Sequence, residues 1–101
     1  MVTFGRSKGN EYFIQKELVS EIRYIKPEWW KLTTNFNYLN PVNGKIGEVI
    51  YENEHNLNQI IIEFYPTDIV VKYPGVLEYY DYSDADRSRL IDLVTRIMRG
   101  E

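Results

Sequence analysis

The stretch QIIIEFYPTDIVVKYPGVLEYYDY, residues 59–82, decides how this chain is read. Three short runs rich in Ile, Val, Tyr and Phe are separated by Pro66-Thr67-Asp68 and by Pro74-Gly75. β-Branched and aromatic residues suit a pleated surface, whereas Pro and Gly interrupt it, so 59–65, 69–73 and 76–82 read as consecutive strands. Connections this short join antiparallel neighbours, because a parallel return needs a crossover of a dozen or more residues. In the first run Ile60, Ile62 and Phe64 fall on one side, with Ile61, Glu63 and Tyr65 on the other.

Working outward, the same period of two extends upstream. Leu32, Thr34, Phe36 and Tyr38 alternate with Thr33, Asn35 and Asn37, a half-buried strand. Asn43-Gly44 follows as a tight hairpin signal, since both residues tolerate positive φ, and 46–51 returns as the partner strand before a polar loop over 52–58. Helices flank these strands. Asn10 can cap the first, whose stripe is Ile14, Leu18, Ile22 and Ile25, and Pro27 stops it. Ser83 caps the second, Asp86 stands at the capping-box position, and Gly100 suits its end. Leu90, Ile91, Leu93, Val94, Ile97 and Met98 form its apolar face. Residues 1–9 lack periodicity and contain Gly5 and Gly9, so they read as a flexible arm before a single domain over 10–101.

The expected fold is therefore α+β: a five-stranded antiparallel meander with the N-terminal and C-terminal helices packed on one face. Two helices of about four turns cover one face of such a sheet and leave the other open. The candidates for that open face are Ile61, Glu63, Tyr65, Val70, Lys72, Glu78, Tyr80 and Tyr82. The set is too apolar for an ordinary wetted face and too acidic for a core, and contiguous apolar patches mark interfaces. Tyr adds contact area at low entropic cost.

Composition removes much of the remaining chemistry. The 101 residues include no Cys and one His, which excludes disulfides, thiolate nucleophiles and zinc knuckles. Hydrophobic residues make up 44%, enough to exclude a disordered chain, yet no apolar run is long enough to span a membrane. No apolar core follows Met1, so intracellular, cytoplasmic residence is expected. The net charge of −3 hides an asymmetry: residues 48–86 hold nine acids against Lys72 alone, a balance of −8, while the flanking segments are basic. The abundance of Tyr and Asn without Cys resembles small proteins of viruses and mobile elements, a likeness of composition that carries no motif.

Individual motifs give little support to catalysis or to a cofactor. Glu52-Asn53-Glu54-His55 offers potential metal ligands, but adjacent residues in a loop rarely supply coordination geometry, and a solvated loop explains them. Gly5-Arg6-Ser7-Lys8-Gly9 lacks the spacing of a phosphate loop. Glu63 and Glu78 could face each other as a carboxylate pair, although solvated edge acids are the simpler reading. Of Trp29 and Trp30, one is expected to plug the core. Three functional expectations follow. The first is a non-enzymatic module, homodimeric or bound to another protein through the open face, with Lys72 meeting Glu63 or Glu78 across a two-fold axis. The second is an acidic inhibitor or nucleic-acid mimic that blocks a basic cleft. The third is nucleic-acid binding through Arg6, Lys8, Trp30, Arg89, Arg96 and Arg99. No cofactor, metal or membrane partner is expected.

Overall fold

Three backbone positions with positive φ set the ends of the two tightest hairpins. Asn43 (φ 55°) and Gly44 (φ 82°) join β1 (Trp30–Val42) to β2 (Lys45–Asn53), and Gly75 (φ 80°) joins β4 (Ile69–Tyr73) to β5 (Val76–Tyr80). Between them lies β3 (Gln59–Phe64), and each strand pairs antiparallel with the next in the order β1-β2-β3-β4-β5. The chain is a five-stranded antiparallel meander preceded by α1 (Thr3–Ile25) and followed by α2 (Asp84–Arg99), an α+β fold. The structure is a computed structural model that describes the backbone of residues 3–100 and the side chains of residues 13–100.

Register decides which side chains meet the helices. Val49 lies opposite Ile62 and Ile62 opposite Val71, while Phe64 pairs with Ile69 and Ile69 with Tyr80. These residues join Tyr51 and Ile60 with Leu18, Ile22, Leu90, Val94 and Met98 of the helices in one buried cluster. Both helices thus bury their apolar stripes on the same face, as the periodicities of the two segments require.

The ends of α2 follow the capping signals with one variation. Ser83 Oγ accepts from Asp86 N at 3.1 Å, and Gly100 (φ 81°) closes the helix with its N–H toward Arg96 and Ile97 carbonyls. Asp86 reaches back to Asp81 N (2.8 Å) instead of Ser83 N, which donates to Asp81 Oδ1 at 2.8 Å. Two acids therefore tie the chain entering the helix to its first turn, where the helix dipole favours negative charge.

The start of α1 differs from expectation. The helix begins at Thr3, so residues 3–9, read above as an arm, form its first turns. Gly5 and Gly9 each cost about 1 kcal/mol of helix propensity, but Gly weakens a helix without ending it, and no Pro precedes Pro27. The first strand also departs from simple alternation. A register shift between Leu32 and Thr34 puts Leu32 opposite Tyr51 on the helix side, while Thr34 and Phe36 face away, opposite Ile50 and Glu48. Thr33 Oγ1 donates to the Ile50 carbonyl (3.2 Å) within this bulge.

Two long-range contacts join the layers. The Trp30 indole Nε1 donates to the Met98 carbonyl at 3.1 Å, which settles Trp30 (1% exposed) as the core plug and leaves Trp29 at the surface near His55. On the other side of the core, Gln15 is buried although polar. Its Nε2 donates to Asn35 Oδ1 and the Phe36 carbonyl, both at 3.1 Å, and its Oε1 accepts from Asn37 Nδ2 at 2.7 Å. The amide fits only because residue 47 is Gly: a Cβ there would lie 2.1 Å from Gln15 Oε1.

A methyl group at position 47 should therefore displace the amide and leave buried polar atoms unpaired. Gly47→Ala is expected to cost about 1–3 kcal/mol in urea denaturation. The same substitution in a Gln15→Ala background should cost clearly less, and equal costs in both backgrounds would place the strain elsewhere.

Candidate functional site

The pleat that buries one face turns two rows to the other, where Glu63 and Val70 are nevertheless buried among their neighbours while Phe36, Lys72, Leu77 and Tyr79 are exposed. Phe36, Glu48, Glu63, Val70 and Tyr79 lie side by side across all five strands, and Thr34, Ile50, Ile61, Lys72 and Leu77 form the adjacent row. Of the residues expected here, Ile61, Glu63, Val70 and Lys72 come together, and Tyr65 joins them by donating its hydroxyl to Glu63 Oε1 at 3.0 Å.

Glu78, Tyr80 and Tyr82 do not belong to this face. Tyr80 is buried in the core (4% exposed), and Glu78 lies opposite Val71 on the helix side. Tyr82 packs against the core with its hydroxyl donating to the Tyr65 carbonyl at 2.6 Å. The reason is the two-residue Pro74-Gly75 turn: it pairs Tyr73 with Val76 and Lys72 with Leu77, so even positions of β4 share a face with odd positions of β5. Leu77 (54% exposed) and Tyr79 (62% exposed) take the places expected of Glu78 and Tyr80. The turn itself was the signal that identifies them.

The register also places Glu48 directly opposite Glu63, an unfavourable arrangement for two like charges. Lys45 resolves it, with Nζ 3.1 Å from Glu48 Oε2 and 3.4 Å from Glu63 Oε2. Lys72 Nζ lies 3.1 Å from Glu63 Oε1, so the contact expected across a dyad forms within one chain. Burial alone pushes the Glu63 carboxyl upward, but hydrogen bonds from Lys72 and Tyr65 and the charges of Lys45 and Lys72 outweigh it and hold it below the usual value. Burial lowers Lys45, yet its hydrogen bonds and charge interactions with Glu48 and Glu63 raise it overall. A carboxylate held ionised by two ammonium groups is a poor general acid, and its expected partner Glu78 is on the far face. The cluster is a neutralised polar centre within an apolar surround. Beside it, Glu63, Tyr65, Asp68, Val70, Lys72 and Tyr79 line a shallow depression of about 250 Å³.

The residues considered for nucleic acid are dispersed on the helix side. Trp30 is in the core. Arg89 lies over the Tyr80 ring, 5.0 Å from its centroid, and pairs with Asp86, while Arg96 pairs with Asp92 at 3.2 Å. Arg99 is exposed in the last turn of α2. The side chains of Arg6 and Lys8 lie outside the described residues. Among the described residues, no group of three or more His, Cys, Asp and Glu side chains gathers as a metal site, and no helix is long and apolar enough to cross a membrane. Compared with protein-family models, curated proteins and solved structures, the chain gives no match.

The sign of the Glu63 effect gives a pH test. A carboxyl whose folded pKa lies below its ordinary 4.5 stabilises the fold above that pH, and the contribution disappears as pH falls through the folded value. The stability gap between wild type and Glu63→Gln should therefore be present at neutral pH and narrow in strong acid. Urea midpoints across the acid range check this, and a gap independent of pH would remove the charge from the account.

Proposed function

We propose that this chain is a non-enzymatic interaction module that self-associates through the open face of its sheet. The observation that carries this reading is the composition of that face. Exposed Phe36, Leu77 and Tyr79, with half-buried Ile50 and Ile61, surround charges already paired inside the chain. Desolvating paired charges costs less than desolvating isolated ones, and the partner need supply no countercharge. A second copy of the same face meets that requirement.

Size is consistent with this occupant. Five strands at about 4.8 Å spacing and some six residues at about 3.3 Å give roughly 500 Å² of flat footprint per protomer. Two such footprints reach about 1,000 Å², the lower end of specific interfaces, before side-chain relief is added. Two-fold pairing of one face with itself is also the commonest route to a closed oligomer.

The acidic segment offers less support to a decoy for a basic cleft. Of its nine carboxylates, Glu48, Glu54, Glu63, Asp84 and Asp86 form ion pairs with cations of the same chain. The field available to a foreign basic surface is correspondingly reduced.

Light scattering on a sizing column tests the proposal. The wild type should elute at twice 12.1 kDa, and Tyr79→Arg or Leu77→Arg should reduce it to a folded monomer at the same concentration. Both side chains are exposed, so neither change disturbs the core. A monomeric wild type, or a dimer indifferent to both substitutions, overturns self-association through this face.

A further inference from the structure

The outer edge of β1 and the flank of α1 enclose a second surface, separate from the open face. Two contacts lay the helix along the strand: Gln15 Nε2 holds Asn35 Oδ1 and the Phe36 carbonyl, and Lys26 Nζ donates to the Trp30 carbonyl at 2.7 Å. Between these anchors the helix advances about 16 Å and the strand about 20 Å, so the two run side by side in opposite directions. The cleft along them is about 660 Å³ and is lined by Lys16, Ser20 and Arg23 of α1 and by Asn35 and Asn37 of β1. Phe13 and Val19 add apolar surface to the same wall.

β1 has β2 as its sole neighbour in the sheet. An edge strand offers a row of main-chain donors and acceptors, and native proteins blunt such edges with Lys, Pro or bulges. Here those devices sit at the ends of the strand: Lys31 and the register shift at Thr33 on one side, Pro41 on the other. The intervening residues 34–38 carry neither a charge nor a Pro. Lys16 and Arg23 are exposed above this run, and neither enters an ion pair among the described residues.

We propose that this groove binds an extended acidic peptide of another protein as a sixth strand on β1, with the carboxylates directed to Lys16 and Arg23. Main-chain groups of β1 other than the Phe36 and Trp30 carbonyls, which Gln15 and Lys26 hold, supply the hydrogen bonds, and the side chains directed at α1 supply the selection, the division of labour in strand addition. The two cations stand about 10 Å apart along the helix axis. Alternate side chains of a strand are about 7 Å apart, so carboxylates two or four residues apart reach both cations through their flexible stems. Asn35 and Asn37 provide neutral polar surface beneath, already engaged with Gln15, and among the described residues no carboxylate lines the cleft.

The probe is a fluorescein-labelled nine-residue peptide that alternates Glu with Thr and Val, with a Lys-for-Glu peptide as its control. The Glu peptide should bind the full chain, weaken as salt rises, and slow hydrogen exchange at amides within residues 33–38. Lys16→Glu combined with Arg23→Glu should weaken binding at least tenfold, and the Lys peptide should not bind the wild type. Absent binding, equal binding of the two peptides, or protection confined to another part of the sheet overturns the proposal. So does a fall in the mass of the chain itself on the double charge reversal, which would make a second copy the occupant. The exchange measurement uses wild-type protein and stands even if the double variant folds poorly.

Discussion

Register is the constraint on which the other features rest. Because side chains alternate along a strand, each turn determines both which residues pair and which face they serve. From β2 to β5 every observed pair joins an odd with an even position: Val49 with Ile62, Ile62 with Val71, Ile69 with Tyr80. The buried face consequently switches from odd positions in β2 to even in β3, odd in β4 and even in β5. A slip at one turn would bring Leu77 and Tyr79 under α2 and expel Tyr80. The Pro74-Gly75 turn, with its positive φ at Gly75, holds that choice.

The helix layer is attached by polar contacts as well as apolar ones. Leu18 and Ile22 would seat on many apolar surfaces, whereas Gln15 accepts only a site that satisfies its amide and leaves space at residue 47. Such a contact contributes less to net stability than to position, because a buried amide penalises every arrangement in which it is unpaired. Lys26 and Arg87, which pairs with Glu17, complete the alignment of α1 with β1 and α2. The same alignment lays the flank of α1 antiparallel along the edge strand.

Much of this architecture was legible in the residues themselves. The strands carried a period of two, α2 carried both its caps, and Asn43-Gly44 and Pro74-Gly75 named their turns. Side-chain parity in β3 and β4 was read as the register has it, because alternation within a strand is a local property, although Glu63 and Val70 are buried rather than open. The reading failed at β5, where parity depends on how many residues the turn absorbs. In β1 the bulge at Thr33 is invisible to composition, since Thr suits a regular strand equally well. The extension of α1 over residues 3–9 went unread because Gly5 and Gly9 lower propensity, a local cost that does not by itself end a helix. Gln15 carried no signal at all. Its burial depends on a missing Cβ on another element, a relation that no local window contains.

The indole of Trp30 bonds to a carbonyl 68 positions later in the chain. Tyr73 of β4 lies against the same indole, with ring centroids 6.3 Å apart, so the meander supplies one side of its surroundings and the end of α2 the other. The last turn of α2 thus provides the acceptor for a buried donor at the start of the first strand, which makes the two ends of the meander mutually dependent.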